Sequence, residues 1–163
     1  MNSNFMKTLI FLATAALLLA GCASMSGGDS GVNVLASGNH SNMKDQQYSD
    51  IHNQADFDAL WKKAFVGQSG APDKPVIDFS KDMVLAAFIG DQPTGGYEIR
   101  FKDIDASGAS VNVTVEVTQP GQNCLRSQSS QRPSEAFLIV AIPASTKPVN
   151  FNTPPAERAP GCG

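Results

Sequence analysis

Histidine and cysteine are scarce in this sequence, and the few that occur match no metal site. The 163 residues include two histidines, His40 and His52, and three cysteines, Cys22, Cys124 and Cys162. Such a set, with its histidines distant from its cysteines, fits none of the usual ligand spacings of a zinc site. We therefore expect no metal and no cofactor.

Clustered positive charge is also missing. Lys and Arg number 12 against 15 Asp and Glu, which gives a formal net charge of −3. A protein that binds nucleic acid or anionic lipid headgroups needs a basic patch to meet the phosphates. The composition therefore disfavours both as partners, and no small-molecule ligand is inferred from it either.

The longest apolar run, residues 9–19, is too short to span a bilayer as a mature helix. It follows the positive charge of Lys7, as the apolar region of a secretory signal does. The run ends in Leu19-Ala20-Gly21-Cys22, which resembles the lipobox of bacterial lipoproteins, where the cysteine is lipidated and becomes the new N-terminus. We expect residues 1–21 to be a lipoprotein signal peptide; a plain secretory signal with an incidental cysteine is the alternative.

Removing residues 1–21 from the 163-residue chain leaves 142 residues, enough for one domain but short for two. Residues 22–31 are small and polar, and we expect them to form a flexible tether. Residues 32–163 then form a single domain.

Lipidation of Cys22 would add more than one acyl chain, which stable membrane anchoring requires. Ala23 and Ser24 follow, so no aspartate occupies the position that favours inner-membrane retention in the lipoproteins this segment resembles. The sequence therefore predicts a bacterial cell-envelope protein that the lipid holds on a membrane, in a Gram-negative host the outer membrane facing the periplasm.

With Cys22 lipidated, Cys124 and Cys162 remain as an even pair in an exported chain, which favours a disulfide bond. This bond would hold the proline-rich tail, residues 152–163, against the domain. Two free thiols are the alternative.

Catalytic residues are not predicted. Gly28-Asp29-Ser30-Gly31 copies a serine-protease nucleophile motif, but it lies in the tether, whereas a Ser-His-Asp triad needs rigid support. Five aspartates near predicted strand ends form no clear acid-base pair, and solvated turns explain them. They are Asp78, Asp82, Asp91, Asp103 and Asp105. We expect that the protein is not an enzyme.

One amphipathic helix is predicted after Asn53, which is suited to the N-cap, with Asp56 in the first turn. Apolar residues recur at the spacing of one helical face. They are Phe57, Leu60, Trp61, Ala64 and Phe65. Gly67 is expected to end the helix, and Trp61 to be a core residue that binds no ligand.

Strands account for the rest of the regular structure. Residues 83–89 form a continuous apolar run, typical of a strand buried on both faces, and residues 111–117 alternate valine with polar residues. Further strands are predicted at 32–36, 48–52, 97–102, 137–142 and 149–151. The short connections indicate an antiparallel meander of residues 83–117. The predicted fold class is α+β: a mostly antiparallel, meander or sandwich-like sheet with one packed helix.

The segment "DQPTGGY", residues 91–97, separates two predicted strands. No helix follows it, so it lacks the helix N-terminus of a phosphate site. Proline and glycine suit a hairpin turn, which is one interpretation. The other is that Pro93, Thr94, Gly95, Gly96 and Tyr97, together the PTGGY loop, present backbone groups to a partner.

"GDQPTGGYEI", followed by the valine strand, Pro120-Gly121, Cys124 and the strand at 137–142, resembles the C-terminal domain of the PrcB family. The resemblance covers roughly residues 83–143. That family takes its name from a lipoprotein subunit of a surface protease complex. The resemblance implies a noncatalytic, protease-associated role that stabilises or matures a partner, and it supplies no catalytic residue.

"PTGGY" is also similar in order to a loop motif of chagasin-like inhibitors of cysteine proteases, although Gln92 and Gly95 depart from it, and Arg132-Pro133 is weakly similar to part of another such loop. Those inhibitors place loops of an immunoglobulin-like domain in a protease cleft. Three functions therefore remain open: an accessory subunit that binds a protease, an inhibitor, and a purely structural envelope protein. For an accessory subunit, the expected contact surface consists of the PTGGY loop and residues 121–134, which we call the second loop. Tyr97 is expected to anchor the turn to the core.

Overall fold

The computed structural model describes residues 31–121 and 132–160. Cys22, Cys124 and Cys162 lie outside the described residues, as do the signal peptide and most of the tether and second loop. The elements in chain order are β1 (Asn33–Gly38), β2 (Gln47–Ile51), α1 (Gln54–Phe65), β3 (Asp82–Phe88), β4 (Glu98–Asp105), β5 (Val111–Gln119), β6 (Phe137–Pro143), β7 (Val149–Asn152) and β8 (Glu157–Arg158).

α1 forms where the sequence predicts it. Asn53 Oδ1 accepts a hydrogen bond from the backbone N–H of Asp56 at 2.9 Å, as an N-cap does. Gly67 follows the helix with a φ of +78°, and so ends it. The predicted apolar face is buried, and the Trp61 ring packs 4.7 Å from that of Phe65. The prediction that Trp61 is a core residue is confirmed.

The first sheet has the strand order β1-β6-β3-β2 and is antiparallel throughout. On its inner strands, Val84 and Ile139 point to the layer that contains α1, whereas Leu85 and Val140 point to the second sheet. All four side chains are 0–1% exposed. The sheet is therefore covered on both sides, which confirms the prediction from the apolar run.

The second sheet has the order β4-β5-β7, and β8 pairs with β5 beyond the end of β7. β4 and β5 form the predicted hairpin, whereas β7 and β8 run parallel to β5. Val111, Val113 and Val115 of β5 are fully buried against the first sheet. The layers are thus helix, sheet and sheet, an α+β fold with mostly antiparallel pairing, as predicted.

The predicted meander of residues 83–117 is wrong at its first turn. β3 pairs with β2 and β6, whereas β4 pairs with β5 in the other sheet. The physical reason lies in burial: a strand that is apolar on both sides needs a covering layer, and the half-buried β4 is part of that layer. The PTGGY loop therefore belongs to a connection between two sheets and is no hairpin turn.

The strands have two opposite ends. We call the one where the chain enters β1 the entry end, and the one where the PTGGY loop lies the loop end. At the entry end, Gly31 lies against Pro143, and Lys147 reaches the carbonyl oxygen of Ala106 in the β4–β5 turn. At the loop end, β3 ends and β6 begins, with Phe88 paired to Phe137. Among the described residues, no helix has the length and hydropathy of a membrane span.

Candidate protein-binding site

The connection between the sheets begins at Gly90, which adopts a φ of +76° and packs tightly on the segment before β2. A Cβ at this position would lie 2.7 Å from the Lys44 carbonyl oxygen and 2.8 Å from the Asp45 carbonyl carbon. The next residue, Asp91, donates its backbone N–H to the same Lys44 oxygen at 3.0 Å. Only glycine fits this contact, so the entry to the connection is fixed.

Ser134 holds the connection from its other side. Its backbone exchanges two hydrogen bonds with Gln92, at 2.8 and 3.1 Å, and its hydroxyl donates to the Thr94 carbonyl oxygen at 2.9 Å. Ser134 is only 2% exposed. These bonds join the PTGGY loop to the last residue of the second loop, so the two segments predicted to act together do meet here.

The loop itself alternates exposed and half-buried residues. Pro93 and Gly96 are exposed, whereas Thr94 and Gly95 are half-buried. Gly96 has a φ of +82°, as glycine permits, and a Cβ there would lie 3.1 Å from the Pro120 side chain. The loop therefore exposes Pro93 and Gly96 while its remaining backbone rests on the molecule.

Tyr97 lies at the C-terminal end of this loop. Its side chain is half-buried and lines a pocket of about 240 Å³ at the loop end, and its role as an anchor of the turn stays a prediction. The other polar side chains that line the pocket are Gln46, Gln92, Gln119 and Thr153. The apolar ones are Ile89, Val117, Pro154 and Ala156.

Charged residues form a small network beside the loop. Lys44 Nζ lies 3.0 Å from Asp91 Oδ1 and 3.4 Å from Glu135 Oε1. These hydrogen bonds, to Asp91 first and to Glu135 second, raise the pKa of Lys44 above its ordinary value. The network joins the segments before β2, after β3 and before β6.

Two of the aspartates considered as acid-base candidates, Asp78 and Asp105, are engaged by residues that follow them closely in the chain. Hydrogen bonds from Ser80 and then from Lys81 lower the pKa of Asp78 to about 2. Asp105 accepts from the Ser107 backbone at 2.9 Å, and hydrogen bonding to Ser107 lowers its pKa as well. Among the described residues, no three His, Cys, Asp or Glu side chains group as a metal site would require.

Two parts of the site were missed by sequence reasoning. Ser134 contacts Thr94, 40 residues away, and no local pattern marks such a contact. Thr153, Pro154 and Ala156 form one wall of the pocket because residues 153–156 leave the edge of the second sheet between β7 and β8. Their two prolines were the available signal, since proline lacks the N–H that a strand ladder needs.

Comparison with known proteins gives one match. Residues 83–139 match the family model described as PrcB C-terminal. This stretch contains β3, the PTGGY loop, β4, β5 and the beginning of β6. The match confirms the resemblance that the sequence motifs indicate. Neither the curated proteins nor the solved structures include a significant match.

Proposed function

We propose, since residues 83–139 match the family model described as PrcB C-terminal, that this chain is a noncatalytic protein that associates with a protease and stabilises or matures it. Contact is made through the PTGGY loop and the adjoining second loop. The role is that of an accessory subunit, which alters a partner by binding to it.

The observation that best supports this proposal is that contacts on both sides hold an exposed loop in one conformation. Gly90 on one side and Ser134 on the other hold the PTGGY loop, while Pro93 stays exposed at its tip. A loop that is ordered before it binds loses less conformational entropy on association, which favours affinity. A turn that served only to join strands would need neither contact.

A noncatalytic role agrees with the chemistry of the described residues. Two of the candidate carboxylates are already engaged: Asp78 with Ser80 and Lys81, and Asp91 with Lys44. Hydrogen bonding in a turn accounts for the lowered pKa of Asp78. The site instead offers backbone and uncharged side chains, which suit contact with a protein.

Anchoring by a lipid on Cys22 would suit this arrangement. The tether ends at Gly31, which lies at the entry end, whereas the PTGGY loop lies at the loop end. The seven residues of β6 between these ends span about 20 Å at 3.3 Å per residue. The nine tether residues after Cys22 have a root-mean-square span of about 17 Å, so the lipid would attach the molecule through its entry end and leave the loop end free.

A Cys124–Cys162 disulfide is part of the same proposal. β8 runs parallel to the end of β5, with Arg158 paired to Gln119. Cys124 and Cys162 follow these paired residues by five and four positions. Alkylation of the unreduced protein should therefore leave both cysteines unmodified.

The test is a crosslinking pull-down of the lipidated protein from intact cells. Wild type is compared with a variant carrying Thr94→Ala and Gly95→Ala, and with Ala106→Ser, Ser107→Ala as a matched control at the entry end. A protease that is retained by the control and lost from the loop variant supports the proposal. If every partner is retained by a folded loop variant, the proposal is wrong.

Activity of the captured protease separates the remaining functions. An accessory subunit leaves the protease active or increases its activity, whereas an inhibitor that fills the cleft abolishes it. A purely structural protein would tolerate the loop substitutions with no change in any bound protein.

A further inference from the structure

The pocket beside Tyr97 lies in the mouth between the two sheets at the loop end. Its floor comes from Ile89 at the end of β3 and from Val117 on the inward face of β5. Pro154 and Ala156 form its outer wall, where the edge of the second sheet is interrupted between β7 and β8. The pocket therefore adjoins the PTGGY loop, and a protein bound to the loop would also reach the pocket.

The interruption of the sheet edge has a clear structural origin. Asn152 pairs with Thr114, and Glu157 pairs with Thr118, so four residues of the edge face only three of β5. The additional residue displaces the edge outward as a bulge. Pro154 and Pro155 lie in this bulge, where their lack of an N–H costs no ladder hydrogen bond.

The lining of the pocket is uncharged, although the chain carries a formal net charge of −3. Within the described residues, three carboxamides surround an apolar floor, and two of them already donate inside the protein. Gln92 Nε2 donates to the Ile89 carbonyl oxygen at 3.1 Å, and Gln46 Nε2 donates to the Tyr48 hydroxyl. Their side-chain carbonyl oxygens remain as acceptors, which suit a ligand that carries an N–H or O–H donor.

We propose that this pocket binds one uncharged aromatic side chain, tyrosine or tryptophan, from the polypeptide that the PTGGY loop contacts. The ring would pack on Tyr97, Val117 and Pro154, and its polar hydrogen would be donated to a glutamine carbonyl oxygen. This inference rests on the proposed function, because the side chain belongs to the partner protein.

The volume of the pocket and the uncharged chemistry of its lining both favour an aromatic side chain as the ligand. A pocket of about 240 Å³ is smaller than the roughly 300–1,000 Å³ of sites for drug-sized ligands, so it suits a single large side chain. An uncharged lining would leave a Lys, Arg, Asp or Glu without a counter-charge. Tyrosine and tryptophan are enriched among the anchors of protein interfaces because they combine a large apolar ring with one polar group.

The experiment uses uncharged mimics of the side chain, so it needs no partner protein. N-acetyl-tyrosinamide and N-acetyl-tryptophanamide are titrated into the ¹⁵N-labelled mature protein, with N-acetyl-alaninamide as the small-side-chain comparison. The side-chain amide signals of Gln46, Gln92 and Gln119 are followed. Ala156→Trp fills the pocket from its exposed rim, and Pro155→Trp is the matched control on the neighbouring exposed residue, which does not line the pocket.

We expect saturable shifts of the glutamine amide signals with the aromatic amides, at least tenfold weaker binding by Ala156→Trp, and unchanged binding by Pro155→Trp. Absence of saturable shifts would overturn the inference, as would equal binding of the alanine compound or equal loss in both variants. The proposed function is tested separately, because loss of a protease from the loop variant does not depend on these compounds.

Discussion

Gly90 combines a backbone φ of +76° with a neighbouring backbone so close that an added Cβ would collide with it. We expect Gly90→Ala to lower the free energy of unfolding by more than the ~1–2 kcal/mol that a left-handed conformation costs an L-residue. The excess arises because the new Cβ would lie 2.7 Å from the Lys44 carbonyl oxygen. Urea unfolding measures the difference.

Gly67→Ala is the matched control for this steric effect. Gly67 has a similar φ of +78°, but nothing lies within 4 Å of the position its Cβ would take. It should therefore show the conformational cost alone. Equal destabilisation by Gly67→Ala and Gly90→Ala would mean that the contact with Lys44 does not hold the connection.

We expect Glu116 to make the folding stability of the protein depend on pH in the acidic range. Its side chain is 3% exposed beneath Lys102 and Arg100. The hydrogen bond from Lys102, and next the one from Arg100, lower its pKa below the ordinary 4.5, against the opposing effect of burial. A carboxyl whose pKa is lower in the folded state stabilises the protein above the unfolded pKa and loses this effect as pH falls through the folded value.

The unfolding temperature of Glu116→Gln should accordingly lie below that of wild type at neutral pH, and the gap should narrow as pH falls below about 4.5. Glu98→Gln, which removes an exposed carboxylate from β4, serves as the comparison. Thermal unfolding between pH 7 and pH 2 measures both. If the difference in unfolding temperature between wild type and Glu116→Gln stayed constant over this pH range, it would contradict the ion-pair explanation.

At the scale of elements, the helix and the buried strands follow directly from sequence periodicity. α1 has a cap at Asn53 and one apolar face, so local signals and burial agree. β3 and β6 are continuous apolar runs because both faces are covered. Periodicity reports which faces are buried and does not identify the covering layer, so it could not reveal that β3 and β4 lie in different sheets.

The connection between these sheets depends on Ser134. We expect Ser134→Ala to lower the free energy of unfolding by about 1–2 kcal/mol, because it removes a buried hydrogen bond to the Thr94 carbonyl oxygen. The backbone amide of Gln92, which is bonded to Ser134, should also exchange its hydrogen faster.

Ser110→Ala is a suitable control for Ser134→Ala. The hydroxyl of the half-buried Ser110 donates to Asn112 at the entry end, so its removal leaves the connection intact. Faster exchange of Gln92 in Ser134→Ala alone would agree with a clamped loop. The same exchange rate in wild type and Ser134→Ala would mean that the backbone pairing of Gln92 and Ser134 is sufficient without the hydroxyl.

At the scale of the whole molecule, the strands separate two surfaces, the entry end and the loop end. The chain enters the fold beside Pro143, and the PTGGY loop lies where Phe88 pairs with Phe137, at the opposite end. The sequence alone could predict a tether and a loop, but their positions relative to each other depend on strand directions that only the fold defines. A protein anchored by Cys22 would use the entry end for attachment and the loop end for recognition.

The most direct test of recognition at the loop end is photocrosslinking in intact cells. A photoreactive amino acid is placed at Pro93, an exposed residue of the loop, or at Ala106, an exposed turn residue of the entry end. We predict that a protease is crosslinked from position 93 and at least tenfold less from position 106. Equal crosslinking from both positions, or crosslinking from position 106 alone, would contradict the assignment of the PTGGY loop as the partner-binding surface.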